Sequence, residues 1–204
     1  MPGKRRTPTP SRRRASARKA ILSAAVALCR EDGYARLTIE GIAARAGVGK
    51  QTVYRWWPSK GAVVLDALDE EVAAVLPVPD TGDVLADMRT VVTAVVTLLA
   101  DARWGPLIAA LLGEAQHDPA VGASMVERFI TPRRAPMVRR LQRAKAVGHL
   151  PAALDPAAVL EVIFGALYHR LLLHTGPLDA AFASFVVDLV LGRLAVRRAR
   201  RGAP

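Results

Sequence analysis

Residues 37–68 read LTIEGIAARAGVGKQTVYRWWPSKGAVVLDAL, and the spacing within this stretch decides the fold. Thr38 can cap a short helix in which Ile39, Ile42, Ala43 and Ala46 recur at the three- and four-residue intervals of one helical face, and Gly47 ends it. After only Val48 and Gly49, a second short helix is expected from Lys50 to about Trp57. Val53 and Trp57, four apart, turn inward, and Val48 plugs the turn. Pro58 closes that helix and Ser59 caps a longer one, KGAVVLDALDEEVAAVL. Two short helices joined by a tight glycine-containing turn and supported by a longer preceding helix form a helix-turn-helix. The inward set leaves Lys50, Gln51, Thr52, Tyr54 and Arg55 outside. Those side chains suit duplex DNA: Lys and Arg for phosphate or guanine, Gln for adenine, Thr for phosphate or a thymine methyl, Tyr for a phosphate oxygen.

Upstream, Ser16 is a candidate cap for a helix carrying Ile21, Ala24, Ala25 and Leu28 on one face and stopping at Gly33. Residues 1–15, rich in Pro, Thr, Ser and Arg, have nothing to bury and are expected to form a disordered basic arm. Downstream, Pro77 to Gly82 reads as a boundary, giving an N-terminal domain over 16–76 and a C-terminal one over 83–198. The latter shows helical patterns from Asp83 to about Ala100, from Arg103 to His117, and from Pro119 to Val147 with interruptions at Pro132 and Pro136. Two strongly apolar helices follow, one opened by Asp155 and Pro156 and running to His174, the other from about Asp179 to Arg198. Helices apolar around so much of their circumference want partners on several sides, which points to a subunit interface.

Composition agrees. Hydrophobic residues make up 51% of the 204, dominated by Ala, Val and Leu, and strand signals are scarce, so the fold class is all-α. The net charge of +11 is concentrated: thirteen of the 29 basic residues lie in positions 1–19 and 193–204, which hold no acid, and the other 16 face all 18 acidic residues. An anionic partner is therefore expected to meet the ends and local clusters rather than a uniformly basic surface. The single cysteine, Cys29, reads as a buried thiol in a reducing compartment. No apolar run looks long enough to span a bilayer and no signal-peptide core follows the basic N-terminus, so no membrane partner and a cytoplasmic location are expected.

With T-I-x-x-I-A-x-x-A-G-V followed by K-x-T-V-Y-R-x-W-P-S-K and an apolar helix, the chain resembles the TetR-type (TetR/AcrR) transcriptional regulators over about residues 16–75. The last third is similar to the C-terminal helices of many of them. The resemblance implies an all-helical homodimer that binds double-stranded operator DNA of two-fold symmetry as a repressor, with paired reading helices about 34 Å apart in successive major grooves. It further implies a four-helix dimer interface built from the last two helices of each subunit, and a small-molecule effector that enters the C-terminal domain and shifts the reading heads. Carried onto this sequence, Thr38 would contact a phosphate. Lys50, Gln51 and Thr52 would meet base edges or phosphates, Tyr54 and Trp56 the backbone, and Lys60 a phosphate at a helix N-terminus. Relatives often carry Ser where this chain has Gly49, so one hydroxyl contact is missing. Position 51 varies among them, which makes Gln51 the expected discriminating residue.

Trp57, on the Val53 face before a proline, is expected in the core, whereas Trp56 suits either a DNA-backbone contact or partly exposed packing. Arg45 and the basic run PRRAPMVRRLQRAK, with Arg133, Arg134, Arg139, Arg140, Arg143 and Lys145, read as solvated. The N-terminal arm suits either flanking DNA or a solvated tail. Glu114 and His117 lie one turn apart, but no second pair at ligand spacing accompanies them, so neither a metal site nor a cofactor is expected. Trp104, Gln116, His117, Phe129 and Tyr168, aromatic and polar groups within an aliphatic domain, are the candidate ligand-binding residues. Two other functions compete: an architectural DNA-binding protein without a ligand, and a DNA-processing enzyme carrying a helix-turn-helix. The second lacks paired carboxylates, a Ser/His/Asp set, a phosphate loop or a metal cluster, so the chain is not expected to be an enzyme.

Overall fold

The computed structural model describes residues 10–72 and 78–194, and every regular element in them is helical. In order these are α1 (Pro10–Asp32), a single 3-10 turn (Tyr34–Arg36), α2 (Ile39–Ala46), α3 (Lys50–Tyr54), α4 (Lys60–Val72) and α5 (Val84–Ala100). Then come α6 (Gly105–Glu114), α7 (Pro119–Ser124), α8 (Thr131–Ala146), α9 (Pro156–Leu173) and α10 (Ala180–Val187).

The all-α fold class holds, with several ends moved. α1 begins at Pro10 and not at Ser16, so the last six residues of the expected arm, 10–15, are helical, and its first nine lie outside the described residues. Proline suits a first helical turn, and the Arg and Ala that follow are strong helix formers, a propensity that the low-complexity reading overlooked. α3 is a residue run of five rather than eight, but Trp56 and Trp57 still donate their N–H groups to Val53 O at 3.0 Å, so the turn stays tight up to Pro58. The interruptions expected at Pro132 and Pro136 do not break the chain. α7 passes through a π-helical segment, Met125–Ile130, straight into α8, and the wide turn directly before Pro132 absorbs the missing backbone bond. The last helix likewise turns π-helical over Asp188–Gly192, and the part expected beyond residue 194 lies outside the described residues.

Of the caps read from the sequence, Thr38, Ser59 and Asp155 hold, Asp179 caps the expected start of the last helix, and Ser16 instead lies within α1. Thr38 Oγ1 accepts from Gly41 N–H at 3.0 Å, Ser59 Oγ from Ala62 N–H at 3.2 Å, Asp155 from Ala157 and Asp179 from Phe182, both at 2.8 Å. Gly47 closes α2 in the left-handed region, φ 66°. At the α5–α6 corner the chain bends by 85°, and Gly105 makes that possible: a Cβ there would sit 2.2 Å from Leu99 O.

Ile21, Ala25, Ile42, Val53 and Leu68 close the core of the N-terminal domain, and Met88, Val92, Leu111, Leu141 and Leu160 that of the C-terminal one. The two cores are continuous, because α4 packs on α1 from one side and on α6, α7 and the π-helical segment from the other. α9 corrects one expectation: its 18 residues, at mean hydropathy 1.4, are long and apolar enough to cross a membrane by length and composition alone. Its inner face, including Leu160, Ile163 and Leu167, is buried in the bundle, while Val162, Leu172 and Leu173 stay exposed.

Candidate nucleic-acid interface and ligand cavity

The reading helix is pinned from below. Trp57 is 2% exposed, its Nε1–H donates to Asp66 Oδ2 at 2.9 Å, and Trp56 meets its ring edge-on with centroids 5.4 Å apart. Val53 is fully buried beside it, as the four-residue spacing required. Above this pin, Lys50, Gln51, Tyr54 and Arg55 are exposed and Thr52 and Trp56 half-buried. Trp56 therefore both packs on the core and keeps an outer edge.

Lys50 Nζ lies 3.8 Å from Glu40 Oε1, which sets the start of α3 beside the first turn of α2 and hence beside Thr38. The Thr38 hydroxyl accepts the cap bond, which leaves its O–H as a donor for a phosphate oxygen. Lys60, at the N-terminus of α4, donates to Tyr34 O at 3.2 Å and sits 4.6 Å from the Tyr34 ring centroid. That contact occupies one of its three donors. Arg45 is not a free solvated side chain: it pairs with Glu31 of α1 at 2.6 Å on the surface.

A cavity of about 360 Å³ opens between α5, the π-helical segment, α8 and α9. Its wall is mostly aliphatic and aromatic, with Val95, Leu98, Ile108, Phe129, Phe164 and Tyr168 among its residues. Polar groups are few. Burial raises the Tyr168 hydroxyl above the ordinary phenol value, against a smaller opposing pull from Arg134. Arg134 pairs with Glu161 at 2.9 Å, and Arg133 pairs with Asp69 at 2.8 Å.

Two of the five expected ligand residues, Phe129 and Tyr168, line this cavity and three do not. Gln116 and His117 are exposed, because α6 stops at Glu114 and the turn carries both outward. Trp104 is buried at the start of α6 and lines a separate groove against α1 and α4.

Residues 21–67 match the profile of the bacterial regulatory proteins of the tetR family, and residues 78–190 match the tetracyclin repressor-like C-terminal domain. The uncharacterized HTH-type transcriptional regulator YdeS of Bacillus subtilis is 38% identical over 173 residues, 85% of each chain. The DNA-binding transcriptional repressor TetR of Mycobacteroides abscessus is 32% identical over 84% of this chain and 90% of its own. The crystal structure of the TetR family transcription regulator SCO0332 superposes with a TM-score of 0.72 at 34% identity, covering 89% of this chain and all of that one. The chain belongs to the TetR family of transcriptional regulators.

In this TetR-family chain the two domains are joined by ion pairs that sequence reading missed. Asp66 of α4, buried, accepts from Trp57, from Arg18 of α1 at 3.1 Å and from Arg128 of the π-helical segment. One turn on, Asp69 holds Arg133. Beyond the linker, the buried Arg140 binds Asp87 at 2.7 Å and Asp80 at 3.0 Å, and Arg143 binds Asp80 at 2.8 Å. The basic run expected to be solvated thus supplies Arg133, Arg134, Arg140 and Arg143 to ion pairs. The available signal was Asp66 and Asp69 interrupting an apolar helix three residues apart, acids whose partners had to come from elsewhere in the chain.

Proposed function

We propose that the chain binds a two-fold symmetric operator as a homodimer and is released from it by a small molecule in the cavity. Each subunit places α3 in a major groove. Lys50, Gln51 and Thr52 meet base edges or phosphates, Thr38, Tyr54, Arg55 and Trp56 grip the backbone, and Lys60 holds a phosphate at the start of α4. The observation that carries this reading is the division of one five-residue helix into a fully buried Val53, braced by the Trp57 pin, and an outward set of cationic and hydrogen-bonding side chains. Exposed apolar residues on α9 and on the last helix, Val162, Leu172, Leu173, Phe185 and Leu189, support the dimer. A regulator of this kind works where the DNA is, in the cytoplasm. The cavity supports an effector, and the architectural reading, which has no use for one, is the weaker for it.

Selection of bound sequences from a random duplex pool with the purified chain tests the reading. The expected result is an inverted repeat whose half-sites lie about one helical turn, or a multiple of it, apart. A pool with no enriched symmetric motif overturns it. Gln51→Ala is expected to relax one position of each half-site by about 1–3 kcal/mol of discrimination. An unchanged motif removes Gln51 from the reading set.

A further inference from the structure

Arg133, which lines the cavity, has one donor that no described residue receives. Arg133 Nη1 donates to Phe129 O at 2.9 Å, and Nη2 to Asp69 Oδ1 at 2.8 Å and to Asp69 O at 3.4 Å, while the guanidinium carbon stands 4.1 Å from the Phe129 ring centroid. Its Nε–H is buried and finds no acceptor among the described residues. Buried N–H groups are almost always satisfied, and one on a cation is the costliest to leave open. The neighbouring charges do not explain it, since Arg134 is held by Glu161 and Arg133 by Asp69, which leaves a wall that is charge-balanced yet one acceptor short.

The same side chain leads out of the cavity. Asp69 lies on α4, one turn from Asp66, and Asp66 carries both Arg128, five residues before Arg133, and the Nε1–H of Trp57. Whatever displaces or holds Arg133 therefore acts on the helix whose Asp66 holds Trp57, the reading-head pin.

We propose, building on the effector reading above, that the effector is a mostly apolar molecule with one hydrogen-bond-accepting oxygen, carbonyl or carboxylate, which binds Arg133. The Arg133–Asp69 pair then carries its arrival to α4. The apolar body fills the space between Val95, Leu98, Phe129 and Phe164, and the oxygen supplies the acceptor that Nε–H lacks once the guanidinium turns toward it, since Nε is closed off from solvent in this structure. A ligand shifts a conformational equilibrium only through contacts that differ between the two states, and a guanidinium shared between ligand and Asp69 is such a contact.

Three probes of one shape separate the oxygen from the apolar body: 4-phenylbutanoate, 4-phenylbutan-2-one and butylbenzene. Calorimetry on the full chain is expected to give both oxygen-bearing probes at least tenfold tighter binding than butylbenzene. Arg133→Lys keeps a cation for Asp69 and removes the Nε–H. It is expected to cut that advantage below threefold with butylbenzene affinity unchanged, and Arg133→Met serves if the lysine finds a new geometry. Asp69→Asn is expected to hold probe affinity within threefold and abolish the change in operator affinity that a bound probe causes, with Asp69→Glu restoring it. The proposal falls if neither oxygen probe binds, if all three bind alike, if the advantage survives in both Arg133 variants, or if probe-driven release survives in Asp69→Asn. The binding measurements need no DNA. A chain that selects no symmetric operator but binds the probes through Arg133 thus sinks the operator reading alone.

Discussion

Trp57 holds α3 by two different contacts, apolar burial of its ring and a charge-assisted hydrogen bond from Nε1–H to Asp66, and the two can be separated. Trp57→Phe keeps most of the ring and removes the bond, leaving a buried carboxylate with Arg18 and Arg128 alone. The expected loss is about 2 kcal/mol in denaturant unfolding, the scale of a hydrogen bond to a charged group. A midpoint equal to that of the parent would show that Asp66 does not need the indole. Lys60 poses a different choice. If it reaches a phosphate, Lys60→Ala weakens binding to every sequence alike and flattens the slope of log affinity against log salt by about one unit. If its only work is the contact with the Tyr34 carbonyl and ring, stability falls and the slope stays.

At the scale of elements, the parts legible in sequence were those governed by local rules. Thr38, Ser59, Asp155 and Asp179 announced helix starts because a cap needs only its own next three residues, and Gly47 announced an end because of its backbone freedom. The Val53 and Trp57 spacing placed the pin for the same reason. What stayed hidden depended on where distant helices pass one another. Arg128, which reaches Asp66, and Arg133, which reaches Asp69, lie 62 and 64 residues away from them, and Gln116 and His117 turn outward past the end of α6, a direction that nothing in the local sequence gives. The prolines of α8 were over-read, since a helix can widen before a proline as well as stop. Gly105 shows how a tertiary fact can hide in one residue. Gly105→Ala is expected to cost at least about 1–3 kcal/mol, because its Cβ would collide with a backbone carbonyl that cannot step aside. Gly113→Ala on the same helix, with open space around it, is expected to gain up to about 1 kcal/mol. Thermal melts of the pair check both, and equal shifts would refute the close-approach account of the corner.

For the whole molecule, the unpaired surface is as informative as the core. Phe185 and Leu189 are 59% and 52% exposed on the last helix, and Val162 and Leu173 are 60% and 62% exposed on α9. Under the proposed dimer, these large apolar side chains on two consecutive helices are the surface that a second copy of the chain would cover. Phe185→Asp with Leu189→Asp replaces two of these side chains by charges that a closed interface would have to desolvate without partners. Neither side chain is buried within its own subunit, so far-UV circular dichroism of the double variant is expected to match the parent. Sedimentation velocity at micromolar concentration is expected to give a dimer for the parent and a monomer for the variant. Operator affinity is expected to drop with it, since a single reading helix loses the second half-site. A variant that sediments as the parent does would move the dimer contact away from the last two helices, and a monomeric parent would remove it altogether.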